Sequence, residues 1–256
     1  MLLGAPTAYW AVVAGVLGLA IGSFSTVAIT RWPAGGSLMT PRSHCTSCGR
    51  TLSPLELVPV LSWLWLRGRC RGCGGRVSWT YPAVELASAG LAAAGVLVFG
   101  PTWQGLAAAV LGVALVPVVV IDLQHRLIPD VIVLPAAAVG LMAAVAADPG
   151  RWWVSVAAAL GACAFFYLLW MVYPAGMGRG DAKLALLLGA VLGASVVPAL
   201  FVAFAAGAAL GLVLLARFGA RARRMAVPFG PFLAAGALVG LWWGPAMIGW
   251  YAASFG

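Results

Sequence analysis

Eight apolar runs, separated by turns and charged loops, suit this chain to the interior of a lipid bilayer. They fall at about 9–29, 82–99, 103–121, 128–147, 152–173, 184–197, 198–216 and 228–252, and a spanning helix needs roughly 20 predominantly apolar residues. Of the 256 residues, 63% are hydrophobic and 8% charged, far more apolar surface than a water-soluble domain of this length has to bury. The expected fold is an all-α polytopic membrane protein of about eight transmembrane helices. Its 33 glycines and 16 prolines agree with that, because small residues let membrane helices approach closely. No basic stretch precedes the first run, which favours a retained first helix over a cleaved signal.

The basic residues set the expected orientation. Arg31, Arg42, Arg50, Arg67, Arg69, Arg71 and Arg76 fall in the first connection, Arg126 in the third, Arg179 and Lys183 in the fifth, and Arg217, Arg221, Arg223 and Arg224 in the seventh. Of the 15 Lys and Arg, Arg151 alone lies in an even-numbered connection. Positive loops stay on the cytoplasmic side, so the odd connections face the cytoplasm and both termini lie outside. The net charge of +9 is accordingly a topology signal, spread over four loops, and no nucleic-acid partner is expected. Three parts follow: a first transmembrane helix over 1–30, a cytoplasmic loop over 31–81, and a seven-helix membrane domain over 82–256. Residues 184–216 are a single apolar stretch of 33 residues between two basic clusters on one side. An even number of crossings is required there, with the break expected at Pro198 and two halves of about 24 Å each, short of the bilayer.

The loop holds Cys45-x-x-Cys48 and Cys70-x-x-Cys73, two pairs 21 residues apart, each followed by a glycine, Gly49 or Gly74. That spacing matches a zinc ribbon or knuckle with four thiolate ligands, a structural Zn2+ site with no open coordination position. Disulfides are disfavoured in a reducing cytoplasm. His44 is expected to be an ordinary loop residue, and Cys163, alone in an apolar helix, is given no role. Between the pairs, Pro54 to Leu66 is apolar and aromatic enough to lie on the lipid headgroups. Glu56 and Glu85 either pair with nearby arginines or bind a cationic group of a substrate or cosubstrate.

Only six acidic residues occur in the chain, and an ionisable group at membrane depth is costly and rarely without function. Asp122 and Asp181 each stand at the edge of a long apolar run on the same side. Asp181 closes Gly178-Arg179-Gly180-Asp181, a GxGD signature. Two such carboxylates look like a proteolytic dyad, one holding a proton while the other activates water. Asp130 is expected to cap the helix that follows it.

The ordered series Gly22-Ser23-Phe24 with Arg31-Trp32-Pro33, the two CxxC pairs flanking Glu56-Leu57-Val58-Pro59, Tyr81-Pro82-Ala83-Val84-Glu85-Leu86, the Asp122 segment, Gly176 to Lys183, and Val227-Pro228-Phe229-Gly230-Pro231-Phe232 covers nearly the whole chain. It resembles the bacterial type IV prepilin peptidases, the bifunctional leader peptidase and N-methyltransferase group of GxGD aspartic proteases. The resemblance implies a multi-pass protein of the cytoplasmic membrane. Asp122 and Asp181 would cut a short basic leader from prepilin or pseudopilin precursors, just after a glycine. S-adenosylmethionine would then serve as cosubstrate for methylating the new amino terminus. Gly178, Gly180 and Lys183 would support the catalytic loop, and Glu56 and Glu85 are the candidates for methyl-donor or substrate binding. The chain departs from the family's pattern at Thr26 and Leu57, where many relatives carry asparagine, and at Gln124, where many carry an acid. The Gln124 departure leaves Asp122 as the catalytic carboxylate of its segment. The competing readings are a peptidase without methyl transfer, and a non-proteolytic assembly factor or transporter. A carrier would place its ionisable groups near mid-membrane and show an internal repeat, and neither is seen here.

Overall fold

Inside a bilayer no water is available to the backbone, so an apolar run must satisfy its N–H and C=O groups by coiling on itself. Each of the eight runs does so. In this computed structural model the described residues are 5–174 and 176–255, and the side chains of 222–224, two of the counted arginines (Arg223 and Arg224) among them, lie outside that description. The long helices are α1 (Thr7–Arg31), α3 (Thr80–Phe99), α4 (Trp103–His125), α5 (Asp130–Ala147), α6 (Trp152–Val172), α7 (Arg179–Leu192), α8 (Val196–Phe218) and α9 (Gly230–Phe255), with a short α2 (Leu61–Trp65) in the loop. Seven stretches of the described residues are long and apolar enough to cross a membrane. One of them, Arg179–Arg221, is 43 residues long and contains both α7 and α8. The protein is thus a multi-pass helical membrane protein. Exposed tryptophans stand at the starts of α3, α4 and α6, namely Trp79, Trp103 and Trp152, where indole rings favour the membrane–water boundary.

The chain divides into two compact units, residues 1–120 and 121–256, and α4 runs through the division. In the first unit α1 packs on α3 through Gly18 and Gly22. A Cβ at Gly18 would lie 2.7 Å from the Ser88 carbonyl oxygen, and one at Gly22 2.9 Å from the Glu85 Cα. Glycines four residues apart thus let two backbones meet, a packing that replaces the hydrophobic drive missing in lipid. The buried hydroxyls of Ser25 and Thr26 are satisfied within α1, donating to the carbonyls of Ile21 and Ser23 at 2.8 and 2.7 Å. Gly95 of α3 similarly meets the backbone of Ala109 on α4.

In the second unit α7 is the centre, with Leu184, Ala185, Leu187 and Leu188 all at 0% exposure. Gly189 of α7 lies on the Ala158–Ala159 backbone of α6, and Gly236, Gly240 and Gly244 of α9 line up on Ala199, Ala203 and Ser195 of α8 and its approach. The break in the 184–216 stretch is at Gly193, not at Pro198. Gly193 takes φ +54°, a left-handed conformation suited to glycine, and a 3₁₀ turn over Gly193–Ser195 leads into α8. Pro198 is the third residue of α8, where the N–H it lacks has no helical partner to lose. The halves are therefore unequal. At 14 residues α7 is about 21 Å long and at 23 residues α8 is about 34 Å; only α7 falls short of a hydrocarbon core of about 30 Å.

The Gly189 contact is with backbone and cannot yield. Gly189→Ala is expected to cost about 1–3 kcal/mol and lower the temperature at which the detergent-solubilised protein aggregates. Gly161→Ala, on the α6 face where a Cβ meets nothing within 4 Å, is expected to leave that temperature unchanged.

Candidate active site and cysteine cluster

A carboxylate in the last turn of a helix meets that helix's unpaired carbonyls, an unfavourable place for a negative charge. Asp122 occupies such a position in α4, yet it is buried, 5% exposed. Its Oδ2 accepts the backbone N–H of Gly230 at 2.8 Å. Gly230 is the first residue of α9, whose N–H is one of the donors that no helical carbonyl can reach. Asp122 is in effect the cap of a helix 108 residues further along the chain. The approach needs glycine, since a Cβ on residue 230 would stand 2.7 Å from that same oxygen.

Asp181, 7% exposed, is the third residue of α7. Its Oδ2 accepts the N–H of Gly178 at 3.0 Å, the residue that caps the helix. Both carboxylates are thus held by one oxygen, each on a backbone donor at a helix N-terminus. No hydrogen bond reaches the remaining oxygen of either one among the described residues. Gly180 lies against Ile128, where a Cβ would be 2.8 Å from the Ile128 Cβ. The connection after Asp122 therefore packs directly on the turn that carries Asp181.

Lys183, the fifth residue of α7, forms an ion pair with Asp130, which fastens the N-terminal end of α7 to the first residue of α5. Asp130 is not the cap expected from the sequence. It is already helical, Pro129 precedes it as the capping residue, and no side-chain cap bond is made. Sequence reasoning also missed two features of this end of the unit. Phe166, Phe204, Phe229 and Phe232 form a chain of rings with centroids 5.3–6.0 Å apart that ends beside Gly230, and Arg179 lies over the Trp170 ring at 5.3 Å. The Phe229-Gly230 pair was visible in the sequence, but nothing local indicated which side chain it would meet.

In the first unit the two cysteine pairs form near-identical knuckles. Cys45 N–H donates to the Arg50 carbonyl and Gly49 N–H to that of Cys45, both at 2.9 Å; Cys70 N–H donates to Gly75 at 2.8 Å and Gly74 N–H to Cys70 at 2.9 Å. Gly49 and Gly74 take φ of +72° and +70°, the left-handed turn that the sequence spacing required. The four Sγ atoms lie within 4.8 Å of one another, with Cys45 and Cys73 at 3.8 Å. A tetrahedron of metal–sulfur bonds of about 2.3 Å has edges of about 3.8 Å, so the cluster is of a size to hold a metal ion. Backbone N–H groups of Cys73 and Gly72 draw the Cys70 thiol down to about 6. At Cys73 the Gly75 N–H pulls the same way, but the neighbouring Cys48, Cys70 and Cys45 sulfurs and burial push the thiol up to about 11. Four thiolates this close repel one another unless a cation sits between them. His44 directs Nδ1 to the carbonyl of Arg42 at 3.1 Å and is exposed, and Cys163 is half-buried in α6.

Glu56 and Glu85 diverge. Glu56 pairs with Arg50 and accepts the N–H and hydroxyl of Ser53 at 3.0 and 2.9 Å. The Arg50 guanidinium and then the Ser53 N–H hold its carboxyl down at about 2. Glu85 has no arginine partner among the described residues; its Oε2 accepts the backbone N–H of Val60 at 2.7 Å.

A bundle of helices long and apolar enough to span the membrane defines a multi-pass membrane protein, and its two singly anchored carboxylates at helix ends are the candidate site. Residues 16–99 match the bacterial peptidase A24 N-terminal domain and residues 109–215 the type IV leader peptidase family. A protein of Aeromonas hydrophila named prepilin leader peptidase/N-methyltransferase is 40% identical over 231 residues, 86% of this chain and 77% of its own. Proteins of the same name from Burkholderia pseudomallei (strain 1026b) and Bacillus subtilis (strain 168) are 38% and 35% identical, over 93% and 92% of this chain and 87% and 95% of theirs. The chain belongs to the type IV leader peptidase family. No solved structure matches it.

Proposed function

We propose that this protein removes the short basic leader of prepilin-like precursors at the cytoplasmic face of the cytoplasmic membrane and then N-methylates the new amino terminus. The observation that carries this reading is the pair of buried aspartates, each fixed through Oδ2 by a helix-terminal N–H with its other oxygen unengaged among the described residues. The pair holds one proton. The ionised carboxylate takes a proton from water as the water oxygen attacks the scissile carbonyl carbon, and the protonated one gives its proton to the carbonyl oxygen. Collapse of the resulting diol breaks the C–N bond, with a proton passing to the departing amine. Fixed carboxylates need no reorganisation at that moment, which is where positioning lowers the barrier. Gly178, Gly180 and Lys183 act as supports, through the Asp181 hydrogen bond, the Ile128 contact and the Asp130 ion pair.

Methyl transfer from S-adenosylmethionine moves a methyl from sulfur to the neutral amine, leaves a thioether and releases a proton. Support for it comes from the names of the relatives. Zinc bound by Cys45, Cys48, Cys70 and Cys73 would lock the two knuckles together as a closed four-sulfur site, a folding role with no open position for chemistry. Glu56 belongs to that same architecture, since both its oxygens are engaged within the loop. The charge pattern supports a cytoplasmic loop with both termini outside.

Asp122→Asn and Asp181→Asn are each expected to lower cleavage of a co-expressed prepilin by at least about 100-fold while the protein stays membrane-inserted; full processing by either variant overturns the aspartate mechanism. Gly230→Ala, which pushes on the Asp122 carboxylate, is expected to impair cleavage without loss of folded protein, whereas Asp130→Asn and Asp148→Asn are mild.

Purified protein is expected to carry about one Zn2+ per chain. Cys45→Ser or Cys73→Ser should lower both metal content and the protease resistance of the loop, and Cys163→Ser neither. Metal-free protein with an equally resistant loop contradicts the assignment.

Glu56→Gln loosens the Arg50 tie and is expected to reduce methylation while cleavage continues. Both are read in one mass spectrum of the prepilin, as leader loss and as the methyl increment on the new terminus. Equal loss of both would mean that the loop supports one shared site, and cleavage without any methylation by the unmodified protein would identify a peptidase alone.

A further inference from the structure

We propose that residues 60–66 form a wedge seated within the lipid leaflet at the N-terminal end of α3, with the arginines that follow it placed among anionic headgroups. The inference stands apart from the catalytic reading and rests on a backbone tether. Val60 has φ +60° and ψ −51°, and the Leu61 N–H donates to the Pro59 carbonyl at 2.5 Å. This is a three-residue γ-turn of the strained positive-φ kind, centred on a β-branched residue that ordinarily avoids it. What holds the turn is Glu85, 6% exposed, whose Oε2 accepts the Val60 N–H at 2.7 Å.

Glu85 lies five residues beyond Thr80, the first residue of α3, about 7.5 Å along the helix axis. Because α3 is long and apolar enough to span the membrane and its side chains lean toward the helix N-terminus, the Val60 turn is tied to the first turns of that helix. The turn itself is half-buried, and the apolar side chains that follow it are exposed. Leu61, Leu64 and Trp65 are 65%, 57% and 86% exposed, and Leu86, beside Glu85 on α3, is 55% exposed. The backbone is prepared for a dry setting. The N–H groups of Ser62, Leu64 and Leu66 donate to Val58, Val60 and Ser62 at 3.1, 2.9 and 3.0 Å, as any backbone in lipid must.

Beyond the wedge the chemistry inverts. Arg67, Arg69, Arg71 and Arg76 are exposed, and no salt bridge among the described residues uses them. Apolar side chains followed at once by unpaired arginines match an anionic bilayer surface, with acyl chains below and phosphate above. Glu85 is thus a positioning residue that sets the depth of the loop through a hydrogen bond; its charge is not required for that, because a glutamine oxygen accepts the same N–H.

The test uses the full chain with Trp65 replaced by the photoreactive p-benzoylphenylalanine, reconstituted in vesicles of phosphatidylcholine and phosphatidylglycerol, irradiated and read by mass spectrometry. A covalent lipid adduct is expected at position 65 and none at a control position, His44, in the exposed part of the loop. Glu85→Leu should abolish the adduct and Glu85→Gln should retain it. Vesicles of phosphatidylcholine alone should give less adduct. Absence of adduct at position 65, or equal adduct at 44 and 65, overturns the wedge, and this comparison stands even if Glu85→Leu fails to accumulate. An adduct indifferent to Glu85→Leu overturns the tether, and one indifferent to phosphatidylglycerol overturns the role of the arginines.

Discussion

A carboxylate buried at the edge of a bilayer needs donors that do not bring their own charge, and the first turn of a helix is a source of them. The N–H groups of Gly178 and Gly230 are used in this way, on Asp181 and Asp122. Much of the second unit can be understood from that pair of bonds. They fix where α7 and α9 begin, they require glycine at 230, and they leave the other oxygen of each aspartate without a hydrogen bond among the described residues. The Lys183–Asp130 ion pair and the seat of Gly180 on Ile128 hold the turns at the same end. Both lie partly or wholly in reach of solvent or side-chain adjustment, so they steady the site more than they stabilise the fold.

The bundle around this site is held by glycine seams. In lipid, apolar side chains gain little by leaving their surroundings for one another, so close backbone approach has to supply the attraction. Gly18 and Gly22 on α3, Gly189 on α6, and Gly236, Gly240 and Gly244 on the start of α8 each put a position without a side chain against backbone or a small residue. The short α7 is buried along most of its length, and Gly193 turns the chain at its end into a full-length α8.

The cysteine loop follows a different physics. It has almost no buried apolar side chain of its own, Cys70 being the exception among its described hydrophobic residues, and so it depends on directed bonds: two matched knuckles, the Arg50–Glu56–Ser53 cluster, and the Val60–Glu85 tether. The four sulfurs that the knuckles bring together could hold a metal ion at the centre of such a loop.

The sequence by itself determined the features that depend on local composition. The number of helices follows from runs of apolar residues and the two knuckles from cysteine and glycine spacing, and the rarity of acids in an apolar chain singled out Asp122 and Asp181 as candidates. Glu56 as an arginine partner was legible too, since Arg50 lies six residues away. What depends on distant partners was not. The break at Gly193 was hidden because proline is the stronger local signal, although Pro198 sits harmlessly in the first turn of α8. Asp130 looked like a cap from its position, yet it pairs with Lys183, and the cap of α9 is Asp122, 108 residues upstream. Glu85 was expected either beside an arginine or on a cationic group of a substrate or cosubstrate, and only the packing of α3 against the loop placed it on the Val60 N–H. Hydrophobicity and turn preference act between neighbours in the chain, whereas a buried carboxylate takes whichever donor the folded backbone brings to it, and only the tertiary structure decides that.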